Sequence, residues 1–129
     1  MSRENIVEVA RKYLIHGLVE HRPEMVPFAE NCWRIEQGLK TGEGAENLRE
    51  VLLREDYKPI TGISNEKWVV EVDQAVVFFD LHLSFSQKPF LVAERFLVQN
   101  GLIREIEAIL YMGNMAEQVM SDIGEMEIT

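Results

Sequence analysis

The chain has 129 residues, 47% hydrophobic and 27% charged, the size and make-up of one globular domain. Its formal net charge of −9 argues against a nucleic-acid partner, whose phosphates demand a basic face, and against an anionic membrane surface. No apolar run reaches the ~20 residues that span a bilayer, Glu4, Glu8, Arg11 and Lys12 break up any leader-like stretch at the start, and Cys32 stands alone, so neither an internal disulfide nor a thiolate metal site is expected and a reducing cytoplasm fits.

Residues 4–20 place Ile6, Val7, Ala10, Tyr13, Leu14, Gly17 and Leu18 at helical spacing, with Ser2 and Asn5 as capping residues and His21-Arg22-Pro23 as the stop. A short helix or turn, PEMVPFAE, is expected next, then a strand NCWRIEQG ending at Gly38, then a helix over 44–55. From there the period changes. The segments 67–72, 75–85, 89–98 and 102–112 are rich in Val, Ile, Phe and Trp and are separated by short polar turns, which predicts an antiparallel meander. Helices first and a curved antiparallel sheet second is an α+β order. The domain is expected over 1–112, followed by an acidic, Met-rich tail over 113–129. In and beside that tail Met112, Met115, Met120 and Met126 are candidates to close over a pocket.

Side chains alternate along a strand. In 75–85 the odd positions, Phe79 and Leu81 among them, form the apolar face, while Asp80 and His82 share the other. In 89–98 the even face is apolar and includes Phe90, Val92, Phe96 and one carboxylate, Glu94. A two-residue turn at Ser86-Gln87 pairs Phe79 with Glu94 and Leu81 with Val92, and puts both apolar faces on one side. Glu94 then either lines an interior pocket with a raised pKa or is carried by strand twist to a rim where a cation meets it.

ARKYLIHGL, MVPFAENCWRIEQG and ERFLVQNGLIREIEAIL, in that order and spacing, resemble the first helix, the helix-to-strand passage and the closing hairpin of the nuclear-transport-factor-2-like (NTF2-like) superfamily, which includes SnoaL-like cyclases, scytalone dehydratase, limonene-epoxide hydrolase and the ketosteroid isomerases. The resemblance implies a cone-shaped α+β barrel around a pocket for a hydrophobic small molecule. It implies a homodimer through the outer sheet face, where Val76, Phe78, Leu91 and Ala93 lie. Matched to the ketosteroid isomerases, Tyr13 falls on the tyrosine donor, Glu36 on the carboxylate base and Glu94 on the acid kept protonated by apolar surroundings. Phe79, Leu81, Phe90, Phe96 and Arg34 are the expected substrate contacts. No cofactor and no metal are implied.

Such a site removes a proton beside a carbonyl and stabilises the resulting enolate with two hydrogen-bond donors. Arg34 departs from the isomerase pattern. Turned to the rim it is neutral to the scheme. Turned inward it pairs with Glu36 or Glu94, which matches instead the acid–Arg–acid site of limonene-epoxide hydrolase, where carboxylates activate a water. A binding or dimerisation module of the same fold without chemistry is the third reading. Asp80 with His82 could form an acid–base pair, but the register turns both toward the outer face. Tyr13 has an ordinary core role as its alternative. His16 and His21 read as helix-end residues, and Cys32 as packing.

Overall fold

In the computed structural model, which describes residues 2–111, the Ser2 hydroxyl accepts the Asn5 backbone N–H and opens α1 (Arg3–Lys12). Ile6, Val9 and Ala10 form its buried stripe. The expected helix over 4–20 is in fact two of different pitch. From Tyr13 to Val19 the chain runs as a π-helix, closed by the Glu20 N–H on the Ile15 carbonyl. The wider turn suits a segment in which Tyr13, Leu14, Gly17 and Leu18 are all buried. Of the expected short helix or turn, the chain takes the turn, a 3₁₀ turn over Pro23–Met25, and its last residues from Phe28 already belong to a strand.

The strands are β1 (Phe28–Glu36), β2 (Leu39–Glu43), β3 (Ile60–Glu71), β4 (Gln74–Leu83), β5 (Phe90–Gln99) and β6 (Leu102–Leu110). α2 (Ala45–Leu52) and a 3₁₀ turn, Glu55–Tyr57, bridge β2 and β3. One mixed sheet has the order β2-β1-β6-β5-β4-β3. The expected meander holds for β3 to β6, which pair antiparallel, while β1 joins β6 in parallel. β2 and β3 are open edges, so the architecture is α+β with a sheet that does not close on itself.

Two strand segments gave no alternation to read. β2 is the short return of a hairpin whose Gln37 and Gly38 both have positive φ, the turn that suits tight antiparallel strands. β3 begins at Ile60, but Gly62, Ser64 and Asn65 blur its first half, and its register shifts there. The β4–β5 register also differs from expectation. Phe79 pairs with Val92 and Glu94 with Val77, since the connection runs from Ser84 to Pro89 rather than through two residues. The slip is two residues, so every side chain keeps its face.

The core lies between α1 with the π-helix and the concave face of the sheet. Tyr13 sits edge-on to Phe96 and Phe28, with ring centroids 5.5 and 6.2 Å apart. No helix among the described residues is long and apolar enough to cross a membrane.

Candidate functional site

The register builds the site. Glu36 of β1 pairs with Ala108 of β6, and Ala108 pairs with Glu94 of β5. Two carboxyl groups therefore stand in one row on either side of the small Ala108, their backbones roughly 10 Å apart at two strand spacings. One row along, Arg34, Ile106 and Phe96 align in the same way. Sharing the parity of Cys32, Arg34 points into the core and is fully buried.

A buried cation survives only if its donors are met. Arg34 Nε donates to Thr41 Oγ1 at 3.0 Å, Nη1 to the Tyr13 hydroxyl at 3.0 Å, and Nη2 to the Thr41 carbonyl at 3.3 Å and the Tyr57 hydroxyl at 2.5 Å. Nη2 also lies 3.2 Å from Glu36 Oε1, the atom that accepts the Tyr57 O–H at 3.3 Å. Arg34 thus gathers two phenols and a carboxylate around itself. Burial works against its charge, yet Tyr13, Glu36 and Tyr57 outweigh that and hold its pKa above the usual arginine range.

The arrangement leaves particular atoms unused. Glu36 receives both contacts on Oε1, and among the described residues Oε2 has no hydrogen-bond partner. Tyr13 accepts from Arg34, and its own hydrogen has no acceptor among the described residues. Burial pushes the Tyr13 phenol well above its ordinary pKa despite Arg34. Burial likewise raises Tyr57, to about 12. Glu94 is 3% exposed and makes no hydrogen bond or ion pair among the described residues. Burial first, then the Glu36 charge, push it up to about 8, with Arg34 pulling weakly the other way. At neutral pH it is a carboxylic acid, a donor.

Tyr13, Glu36, Tyr57 and Glu94 share one cavity of about 210 Å³, whose remaining wall is mostly apolar and includes Phe79, Leu81, Phe90, Val92 and Leu110. The structure thus brings Tyr13, Glu36 and Glu94 together, with Phe79, Leu81 and Phe90 beside them. Two expected substrate contacts are corrected. Phe96 lies under Tyr13 and Trp68, outside the cavity wall, because its row is filled by the Arg34 cluster. Arg34 sits behind the wall, screened by the two phenols and Glu36, and does not line the cavity.

Tyr57 and Thr41 were not among the expected residues. Tyr57 comes from the 3₁₀ turn after α2 and Thr41 from the β2 return, segments with no periodic pattern to mark a facing side. The only signal was the inward Arg34 itself, which needs more partners than Glu36 supplies.

His82 and Asp80 face the other side of the sheet, bound to Ser64 Oγ and Asn65 Nδ2, each at 2.6 Å. His16 pairs with Glu20 at 2.6 Å, and His21 Nε2 contacts the Ile60 carbonyl at 3.1 Å. Cys32 is buried in the core. No cluster of three or more His, Cys, Asp or Glu side chains among the described residues could hold a metal. The Met112, Met115, Met120 and Met126 proposal lies outside the described residues.

A family model described as Domain of unknown function (DUF8021) matches residues 1–110. No curated protein matches the sequence. Among solved structures, a presumed isomerase of the SnoaL-like family from Agrobacterium tumefaciens superposes with a TM-score of 0.68 at 14% identity, covering 84% of this chain and 98% of that one. A presumed ketosteroid isomerase from Kribbella flavida gives 0.68 at 17% identity, over 85% and 80%. A de novo designed protein with a curved β-sheet gives 0.70 at 18% identity, over 98% and 99%. At these identities the likeness establishes the fold, which is NTF2-like, and the designed relative is a reminder that the fold alone implies no chemistry.

Proposed function

The chain belongs to the family described as Domain of unknown function (DUF8021), and from that premise we propose that it is an acid–base enzyme for a small, largely apolar molecule with one reactive oxygen. The observation that supports this is the unlike surroundings of two carboxyl groups in one cavity: Glu36 beside a cation, 3.2 Å from Arg34 Nη2, and Glu94 without a partner among the described residues and raised to about 8 by burial. One carboxyl group beside a fixed cation and another in dry, apolar surroundings is an arrangement suited to a base and an acid.

We rank water addition ahead of enolisation because of the Arg34–Glu36 pair. An ion-paired carboxylate is a weak base for a carbon acid, whereas water needs only partial proton removal while it attacks. In the epoxide-hydrolase-like reading Glu36 Oε2 takes a proton from water and the water oxygen bonds to an epoxide carbon. The C–O bond breaks, and Glu94 gives its proton to the leaving oxygen, so the product is a diol and the pair re-equilibrates through solvent. Arg34 and Tyr57 act as positioning residues for Glu36.

Enolisation, as in a ketosteroid isomerase, remains the second reading because Tyr13 still has a hydrogen to donate beside Glu94. The two are separated by incubating the protein with small apolar epoxides in ¹⁸O water, and with small cyclic enones in D₂O. A singly labelled diol supports water addition. Deuterium at the enone α or γ carbon with no diol supports enolisation. Neither product leaves the binding-module reading.

We also propose a homodimer through the convex sheet face, where Phe78, Leu91 and Ile109 are each more than half exposed.

A further inference from the structure

The rim and floor of the cavity differ. Tyr13 and Glu94 form the buried floor, while Asp56 and Phe85 lie at the exposed mouth. A ligand therefore reaches the donors with its oxygen first and leaves its apolar body toward the opening.

The wall contains Glu36, Asp56 and Glu94, and no Lys, Arg or His. Arg34, behind Tyr13 and Glu36, is already committed to Tyr13, Tyr57, Thr41 and Glu36. At the mouth the exposed Arg54 Nε lies 3.6 Å from Asp56 Oδ1 and is not part of the wall. Residues 112–129, which lie outside the described part of the chain, contain no Lys, Arg or His either, so they bring no positive side chain to the mouth. The whole chain, at −9, adds a field of the same sign.

We infer that this cavity selects an uncharged ligand bearing a hydrogen-bond-acceptor oxygen, and rejects carboxylates, phosphates and substrates that arrive on an anionic carrier. The inference rests on the proposed reading of the cavity as the ligand site and narrows its substrate class. Its physical basis is desolvation. An anion leaving water for the floor of this cavity finds no lining cation to replace its hydration, since Arg34 is already met by Glu36 and the exposed Arg54 is paired with Asp56 at the mouth. A neutral ketone or ether oxygen needs only the donors that Tyr13 and the protonated Glu94 present. A cation gains little, because the Glu36 charge is already paired and Glu94 is neutral below about pH 8.

Three probes of one shape test this at pH 6.5: 2-acetonaphthone, which is neutral, 2-naphthoate, which is anionic, and 2-naphthamidinium, which is cationic. By titration calorimetry the ketone should bind at least about tenfold more tightly than the naphthoate and no more weakly than the amidinium. At pH 9 the ketone should weaken and the amidinium gain, and Glu94→Gln should abolish that pH dependence. Naphthoate binding as tightly as the ketone, amidinium binding more tightly at pH 6.5, or no binding by any probe would each overturn the inference. Turnover is not read in this experiment. Glu36→Gln should keep the ketone's preference over naphthoate even if it shows that no water is activated.

Discussion

Glu36 and Glu94 occupy one row of the sheet with only Ala108 between them, so a molecule lying over Ala108 has a carboxyl group on each side. Arg34 is bound to one of the two and not to the other. The other lies deeper: Glu94 is 3% exposed, and burial first, with the Glu36 charge, is what raises its pKa to about 8.

Glu36→Gln should lower kcat by about 10²–10⁴-fold, the usual worth of a positioned acid or base, with a small change in KM. The amide still accepts from Arg34 and Tyr57, so the fold should survive. Steady-state kinetics on an active epoxide, with circular dichroism as the folding control, checks this. Full activity in a folded Glu36→Gln protein removes Glu36 from the mechanism.

Glu94 sets two pH dependences. As the proton donor it is lost as pH rises through about 8, so kcat/KM should fall there and the limb should vanish in Glu94→Gln. For stability, the unfolded group has its ordinary value of 4.5 and the folded group a raised one, so between the two the folded chain holds a proton that the unfolded chain has released. Stability therefore falls with rising pH across that window, by up to about 1.4 kcal/mol per unit, and this contribution levels off above about 8. Urea denaturation at pH 5, 6.5 and 8 should show the parent losing ground against Glu94→Gln. A parent-minus-variant stability that stays constant or rises with pH would mean that Glu94 is not held neutral.

Arg34→Met should cost about 3–5 kcal/mol, since it strands Glu36 and two phenols beside an apolar chain. The double change Arg34→Met with Glu36→Gln should cost less than the sum of the single ones, because the orphaned charge goes with the second substitution. Arg34→Lys should recover little, as three donors on one nitrogen cannot reproduce a planar fork spread over Thr41, Tyr13 and Tyr57. Chemical denaturation of the four proteins measures the coupling, and additive losses would argue against the pair as a unit.

Sedimentation at micromolar concentration should find a dimer. Ile109→Arg should dissociate it without unfolding the chain, since Ile109 is 64% exposed on the face away from the core. A parent that sediments as a monomer refutes the proposed interface.

How much of this could be read from the sequence depended on how strongly a segment alternates. β4 and β5 alternate over ten residues each, so the inward parity of Glu94 was legible even though its partner was misplaced by two residues. Parity depends only on the strand, whereas register depends on a loop whose length Ser86-Gln87 did not fix. Tyr13 was legible from helical spacing, which reads alike for α and π turns. Arg34 resisted because its inward position breaks the apolar pattern that marks inward positions. Its stabilising partners sit on a turn and a short hairpin return, where no period exists to extrapolate.

At Ala108 a missing side chain shapes this cavity as much as any present one. Its methyl group is the low point between two taller neighbours, a saddle in the floor, and the reaction space above it exists by default of bulk. A leucine at 108 would occupy the space a substrate needs while leaving each ionisable group in place. The same sheet would then be a sealed scaffold, differing from the open one at a single aliphatic position and in no charge at all.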